Sequence, residues 1–253
     1  MNKFGLIGHP LTHSCSSIIH EELFKLNKIQ ATYEHLDIEE REIESVLKQL
    51  RSGYYQGINV TIPYKEKVLP HLDILTPAVE AIGACNTIYY QEGKLIGDNT
   101  DYYGFIKQLE HQSIDVKNKN VYILGNGGAA KALSYALNIL GANVTVVSRR
   151  GGFSYQELEE LAHIDVLINT TPLGMYPNLE ASPVNEDVIK RTDVCIDIIY
   201  NPRQTLFLKM ANQKNEGLPM LIFQAVKAEE IWQKKHIEVD YEKIKSACER
   251  KLI

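Results

Sequence analysis

Long apolar runs are missing from this 253-residue sequence. No stretch approaches the roughly 18 consecutive apolar residues that a membrane-spanning helix needs, so we expect no association with a membrane. The N-terminal segment MNKFGLIGHPLTHS has no long apolar core and no small-residue cleavage site, which argues against a signal peptide. These absences predict a cytoplasmic protein.

Cysteine and clustered histidine are scarce as well. The eight histidines form no HExxH pattern, and the cysteines form no CxxC pair, so we predict no metal site and no disulfide framework. The net charge is −5 and the charges are interspersed, which argues against nucleic acid as a partner. Reduced thiols are expected at the four cysteines, Cys15, Cys85, Cys195 and Cys248.

Strand-like and helix-like patterns alternate along the first hundred residues. β-branched or apolar runs indicate strands, and apolar residues at helical spacing indicate helices. The predicted elements are strands at 3–7, 32–36 and 57–62, helices at 16–27 and 39–51, and a hairpin formed by 86–90 and 94–96.

A second series of alternating elements begins near residue 119. Its predicted strands are 120–124, 143–147, 166–169, 194–198 and 220–222, and its predicted helices are 128–140, 154–162, 186–190, 203–215, 223–235 and 240–251. Strands that alternate with helices indicate βαβ units and a parallel sheet. We therefore predict an α/β protein with two α/β domains, 1–101 and 102–225. Residues 226–253 are expected to pack back on the first domain.

A glycine-rich turn follows the first strand of the second half. Residues 120–130 read NVYILGNGGAA, in which a buried strand enters Gly125-Asn126-Gly127-Gly128-Ala129 and then a helix. This context fits the G-x-G-x-x-A motif, whose glycines make a tight turn and let the backbone approach a pyrophosphate at the helix N-terminus. The alternative is a tight strand-to-helix turn that binds no ligand.

The end of the next strand indicates which dinucleotide is bound. Proteins of this type that bind NAD place an acidic residue there, against the ribose 2′-hydroxyl. This strand instead ends in Ser148-Arg149-Arg150, and guanidinium groups suit the 2′-phosphate of NADP. NADP is therefore the predicted cofactor, and two solvated surface arginines are the alternative.

Polar residues also follow the strands of the first half. They lie at the carboxyl ends of these strands, which is where open α/β sheets bind ligands. Ser14 and Ser16 could present hydroxyls to an anion, although Ser16 could simply be a helix N-cap. Asn59 and Thr61 alternate with apolar residues, so their side chains are expected on the same side. Taken alone, a lysine such as Lys65 is usually a solvated surface charge, and the acids near 98–101 could be solvated too.

Eight segments together resemble the shikimate dehydrogenase family. They cover nearly the whole chain in the family's order, and they are HPLTHSCSS, NVTIPYK, IGACNT, GDNTDYYG, LGNGGAAKA, NTTPLGM, DIIY and EGLPMLIFQA. The resemblance implies an N-terminal substrate domain, a C-terminal Rossmann-like NADP domain, and NADPH-dependent reduction of 3-dehydroshikimate to shikimate in aromatic amino acid biosynthesis. The alternatives are a dual quinate/shikimate dehydrogenase and an inactive nucleotide-binding paralogue. In each case we expect a monomer or a homodimer with a small-molecule substrate.

The resemblance also implies residue roles, position by position. The implied catalytic pair is Lys65 and Asp101. The implied substrate residues are Ser14 and Ser16 for the carboxylate, Asn59, Thr61, Asn86 and Gln224 for the ring hydroxyls, and Tyr200 nearby. The implied cofactor residues are Gly125, Asn126, Gly127, Gly128, Ala129, Ser148, Arg149 and Arg150, with Thr170, Ile198, Gly217 and Met220 lining the nicotinamide pocket.

One departure from the family concerns the length of the second domain. Family members usually carry a further helix and a short strand between the positions of Arg150 and Asp165. Here 151–164 leaves room for one short helix. We therefore predict a nucleotide domain that is one strand smaller, with a shortened wall beside the adenine.

Overall fold

The computed structural model describes residues 1–11 and 14–252, so Thr12 and His13 of the HPLTHSCSS segment and the terminal Ile253 lie outside the described residues. Contacts divide the chain into two units. The first comprises Met1–Tyr103 with Ile222–Lys251, and the second comprises Gly104–Leu221 with Leu252. The chain therefore passes between units after residues 103, 221 and 251. The sequence predicts the first two of these crossings after residues 101 and 225.

The first unit contains a six-stranded mixed sheet with the order β2-β1-β3-β5-β6-β4. Strand β1 is parallel to β2 and β3, while β5 is antiparallel to β3 and β6. Its elements are β1 (Asn2–Gly8), α1 (Ser16–Leu26), β2 (Ala31–Asp37), α2 (Ile43–Arg51), β3 (Gly57–Val60), β4 (Ile74–Leu75), α3 (Pro77–Ile82), β5 (Thr87–Gln91), β6 (Lys94–Asp98) and the start of α4 (Asp101–His111).

The apolar face of α2 explains how this sheet is covered. Ile43, Val46, Leu47 and Leu50 recur at helical spacing, and all four lie in one buried cluster with core residues of the strands. Full burial of each such side chain contributes about 1.5–3 kcal/mol to folding. The predicted helix over 39–51 is confirmed from Ile43 onward, and its first turn is a 3-10 helix, Glu40–Glu42.

The second unit contains a five-stranded sheet, β11-β10-β9-β7-β8, in which every pairing is parallel. The α/β prediction is therefore confirmed for both units. The remaining elements are β7 (Asn120–Leu124), α5 (Gly128–Ile139), β8 (Asn143–Val147), α6 (Tyr155–Glu160), β9 (Ile164–Asn169), α7 (Glu186–Lys190), β10 (Thr192–Asp197), α8 (Leu206–Met210), β11 (Lys214–Asn215), α9 (Leu218–Gln233) and α10 (Tyr241–Glu249). Helix α9 from Ile222 onward and all of α10 belong to the first unit.

The predicted strand at 220–222 is wrong, because these residues lie inside α9. A short apolar run has no periodicity that separates a buried strand from a buried helix. Pro219 is the second residue of α9, a position in the first turn where proline loses no helical hydrogen bond. The fifth strand of this sheet is instead the two-residue β11.

The short connection between β8 and β9 contains one helix, α6, as predicted from its length. Among the described residues no further strand follows β8 in the sheet order, so β8 is an edge strand of the sheet, next to β7. Across residues 1–11 and 14–252, no helix combines the length and apolar character needed to cross a membrane.

Candidate active site

Lys65 and Asp101 form an ion pair in the first unit. The Lys65 Nζ lies 2.7 Å from Asp101 Oδ2, and the two side chains are only 16% and 7% exposed. Lys65 sits in the turn after β3, and Asp101 is the first residue of α4. The other two ammonium hydrogens have no partner among the described residues, so Lys65 can donate to a bound oxygen atom while it stays paired.

The carboxylate of Asp101 is also fastened by Asn86. The Asn86 amide nitrogen donates to Asp101 Oδ1 over 2.8 Å, and its oxygen accepts from the backbone N–H of Thr100 over 2.7 Å. Both carboxylate oxygens therefore have a protein donor, which leaves each with a free lone pair. In this structure Asn86, which the resemblance assigns to substrate binding, orients the acidic member of the pair.

Gln224 belongs to the same buried polar network, although it lies 138 positions from Asn86. Its Oε1 accepts from Thr100 Oγ1 over 3.3 Å and from Asn86 Nδ2 over 3.5 Å. Gln224 lies on α9, in the segment Ile222–Lys251 that groups with the first unit. The return of the chain to this unit thus completes the network.

Asn59 is held on three sides by protein. Its Oδ1 accepts from the Tyr33 hydroxyl over 2.8 Å, and its Nδ2 donates to the Asn86 carbonyl and to Thr87 Oγ1 over 3.1 and 3.2 Å. Thr61 lies just beyond the end of β3 and is half-buried, and its hydroxyl has no hydrogen-bond partner among the described residues. A ligand hydroxyl can therefore bind Thr61 without displacing a protein partner.

The two serines are linked to each other at the start of α1. Ser14 Oγ donates to Ser16 Oγ over 3.0 Å and accepts from the Ser16 N–H over 3.1 Å. The N-cap residue is Cys15, whose side chain forms no cap hydrogen bond, so the interpretation of Ser16 as an N-cap is wrong. Two hydroxyls at a helix N-terminus suit a carboxylate.

The glycine turn of the second unit fits a dinucleotide pyrophosphate. Gly125 has φ +106°, and a Cβ there would lie 2.9 Å from Thr170 Oγ1. Gly127 caps α5 without a side-chain hydrogen bond, and a Cβ there would meet no atom within 4 Å. The backbone N–H groups of this helix start are therefore open to a phosphate.

The arginines after β8 are available for a second phosphate. Arg149 and Arg150 are exposed, and neither forms an ion pair within the described part of the chain. Ser148 is buried, and its hydroxyl donates to the carbonyls of Arg150 and Gly151 over 3.0 and 2.7 Å. Ser148 thus shapes the turn that carries the two guanidinium groups, which fit a 2′-phosphate.

Four further residues assigned to the cofactor lie at the carboxyl ends of β9 and β10 or at the start of α9. Thr170 Oγ1 donates to the Leu124 carbonyl over 2.7 Å, which ties the end of β9 to the glycine turn. A Cβ on Gly217 would lie 2.4 Å from the carbonyl carbon of Ile198, so only glycine allows this approach. Met220 is buried in α9, and Tyr200 is half-buried beyond β10.

Asp197 is a buried acid that the sequence does not single out, although it begins the DIIY segment. Its carboxylate accepts from Thr205 Oγ1 over 2.7 Å, from the Ile199 N–H over 2.9 Å and from Asn169 Nδ2 over 3.2 Å. Burial raises the pKa of Asp197 to about 6, against the favourable effect of these donors on the charged form. Asp197 therefore anchors the loops after β9 and β10.

This pKa predicts a pH-dependent contribution to stability. The pKa of Asp197 rises from 3.8 to about 6 on folding, so the folded protein keeps a proton that the unfolded chain releases. The contribution of Asp197 to the free energy of unfolding is therefore fully present below about pH 4. It is lost as the pH rises through about 6, where Asp197 ionises in the folded protein. From about pH 4 to pH 7, wild type should lose up to about 3 kcal/mol of unfolding free energy relative to Asp197→Asn.

Denaturant unfolding of both proteins at the two pH values measures this difference. All other titrating groups are common to wild type and variant, so their effects cancel in the comparison. A difference that does not change with pH would contradict the raised pKa.

Comparison with known proteins bears on both units. Residues 6–88 match the family model described as the shikimate dehydrogenase substrate binding domain. A Clostridium beijerinckii protein named shikimate dehydrogenase (NADP(+)) is 43% identical over 249 residues, covering 92% of each chain. A Methanococcus maripaludis protein of the same name is 37% identical over 252 residues, covering 90% of each.

Solved structures agree with this assignment over the full length. A shikimate 5-dehydrogenase from Thermus thermophilus, in complex with NADP(H) and shikimate, has a TM-score of 0.91 at 32% identity and covers 100% of both chains. Shikimate dehydrogenase 1 from Peptoclostridium difficile has a TM-score of 0.89 at 37% identity, covering 99% of this chain and 97% of its own. This chain therefore belongs to the shikimate dehydrogenase family.

Proposed function

We propose that this protein catalyses the reversible, NADP-dependent reduction of 3-dehydroshikimate to shikimate, a step toward chorismate and the aromatic amino acids. The observation that carries the proposal is the Lys65–Asp101 pair, 2.7 Å apart and mostly buried, in a chain of this family. The first unit would bind the substrate and the second would bind NADP. An inactive paralogue would not be expected to keep both members of this pair.

The cofactor supplies the hydride when it is bound. The turn Gly125–Ala129 would hold the pyrophosphate, since its helix start is uncapped. Arg149 and Arg150 would bind the 2′-phosphate through charged hydrogen bonds. The residues proposed to line the nicotinamide pocket are Thr170, Ile198, Gly217 and Met220.

Lys65, paired with Asp101, would donate the proton to the substrate C3 oxygen. As negative charge develops on the C3 oxygen, the Lys65 ammonium stabilises it and then donates a proton from Nζ. Asp101 holds the Lys65 ammonium in place through the 2.7 Å ion pair and can accept a hydrogen bond from a substrate hydroxyl. Asn86 keeps the carboxylate in place through the 2.8 Å bond to Oδ1.

The remaining polar residues would select the substrate by its functional groups. Ser14 and Ser16 would bind the carboxylate at the start of α1. Thr61, in the turn after β3, and Gln224, on α9, would bind ring hydroxyls, and Tyr200 would lie near the substrate. These roles follow the resemblance, and the free hydroxyl of Thr61 supports them.

A spectrophotometric assay of cofactor reduction tests the proposed function. We expect the rate of shikimate oxidation with NADP to exceed the rate with NAD, because two arginines and no acid follow β8. The resemblance to the family further implies that the rate on shikimate exceeds the rate on quinate. Comparable rates on quinate would indicate a dual quinate/shikimate dehydrogenase. A thermal shift with NADP but no turnover would indicate an inactive nucleotide-binding paralogue.

A further inference from the structure

Tyr33 forms a hydrogen bond to Asn59, a residue of the proposed substrate site in the first unit. It lies on β2 and is 6% exposed, and its hydroxyl is 2.8 Å from Asn59 Oδ1. No motif in the sequence marks this tyrosine. Its only hydrogen-bond partner among the described residues is the Asn59 side chain.

The orientation of the Asn59 amide follows from its other neighbours. The carbonyl of Asn86, 3.1 Å away, can only accept a hydrogen bond, so the amide nitrogen must face it. The amide oxygen therefore faces Tyr33, and the tyrosine hydroxyl must be the donor. A rotated amide would place its oxygen against the Asn86 carbonyl oxygen and would leave the buried Tyr33 hydroxyl without an acceptor.

This orientation decides what Asn59 can offer a ligand. Both hydrogens of Nδ2 already have protein acceptors, the Asn86 carbonyl and Thr87 Oγ1. The remaining capacity is the second lone pair on Oδ1, next to the lone pair used by Tyr33. Asn59 is thus prepared to accept a hydrogen bond from a hydroxyl of the ligand.

The ring of Tyr33 is itself held in place by buried groups. The imidazole of His20 stacks on it, with the ring centroids 4.0 Å apart and an interplanar angle of 8°. His20 Nδ1 lies 2.6 Å from Glu229 Oε1, and neither side chain is exposed to solvent. Because this packing restricts the Tyr33 ring to one orientation, its hydroxyl has a fixed position, which keeps the Asn59 oxygen in a single orientation.

We propose that Tyr33 is a positioning residue for substrate binding, which acts by holding the Asn59 amide with one oxygen lone pair directed to a substrate hydroxyl. This inference rests on the proposed function, because it takes shikimate as the ligand of Asn59. It adds a residue that does not touch the substrate and assigns Asn59 the role of an acceptor.

Replacing Tyr33 with phenylalanine removes the hydroxyl and keeps the ring. We expect KM for shikimate to rise about fivefold, within the twofold to tenfold that one neutral hydrogen bond is worth. The kcat value and KM for NADP should stay within about twofold, because Tyr33 touches neither the Lys65–Asp101 pair nor the glycine turn. Steady-state kinetics with each substrate varied measures this split.

Tyr55→Phe is the matched control. Tyr55 is buried in the same unit, and its hydroxyl donates to Glu34 over 2.9 Å, away from Asn59. Its substitution removes an equivalent hydroxyl and should leave KM for shikimate unchanged. If KM for shikimate rose as much in Tyr55→Phe as in Tyr33→Phe, the effect would come from a general destabilisation of the unit, and the proposal would be overturned.

A double substitution separates positioning from direct binding. In an Asn59→Ala background, adding Tyr33→Phe should not raise KM for shikimate further, since the group that Tyr33 orients is gone. Full additivity, an unchanged KM in the single variant, or an unfolded Tyr33→Phe protein would each overturn the proposal. If wild type does not oxidise shikimate at all, the proposed function fails and this inference fails with it, whereas the other outcomes leave the proposed function intact.

Discussion

Replacing Lys65 with alanine is expected to lower kcat for shikimate oxidation by about 10²- to 10⁴-fold, the usual range for loss of a general acid–base group. The substitution removes the only cation that pairs with Asp101 among the described residues. Binding of NADPH should be nearly unchanged, because the glycine turn and the arginines after β8 belong to the other unit. Single-turnover kinetics and a fluorescence titration with NADPH measure the two quantities.

Lys67→Ala is the matched control for this experiment. Lys67 lies two positions along the same loop, is exposed and pairs with Glu40, so its loss should leave kcat within about twofold, as expected for an exposed ion pair. If Lys65→Ala weakened NADPH binding as much as it slowed turnover, Lys65 would have a structural role. The proposed acid–base function would then be wrong.

Replacing both Arg149 and Arg150 with alanine is expected to raise KM for NADP by at least about 100-fold. Each charged hydrogen bond to a phosphate is worth about 1.5–3 kcal/mol, or roughly a factor of 10 to 100. KM for NAD should change little, because NAD has no 2′-phosphate for the guanidinium groups to bind. The preference for NADP over NAD should therefore largely disappear, as measured by kcat/KM for each cofactor.

Arg41→Ala is a suitable control, since Arg41 is an exposed arginine of the first unit that pairs with Glu39. It should alter neither cofactor constant. An equal rise in KM for NAD and NADP in the double variant would show that the arginines support the turn itself. In that case the discrimination between cofactors would depend on other residues.

Most of the regular elements follow from local sequence patterns. The predicted strand at 120–124 and the predicted helix that begins at Gly128 match the structure. The spacing of apolar residues that predicts such elements can be recognised within a few neighbouring residues. The same reasoning fails at 220–222, where an apolar run is compatible with two kinds of buried element. Periodicity needs several turns or alternations before it can separate a helix from a strand.

The sequence by itself determined the chemical types at the site and their order along the chain. The glycine turn, the paired arginines and the lysine after β3 are all local motifs, so their presence could be recognised without coordinates. The resemblance then implied which of these groups act together. Their roles in catalysis and binding remain proposals that the experiments above test.

Only the tertiary structure decided which of these groups meet. Lys65 and Asp101 are 36 positions apart and Asn86 and Gln224 are 138 apart, yet each pair lies within hydrogen-bonding distance. Tyr33 has no motif, and it becomes relevant only because β1 lies between β2 and β3 in the sheet and the Tyr33 hydroxyl reaches Asn59. Long-range hydrogen bonds depend on strand order and register, and a local sequence pattern carries no record of either.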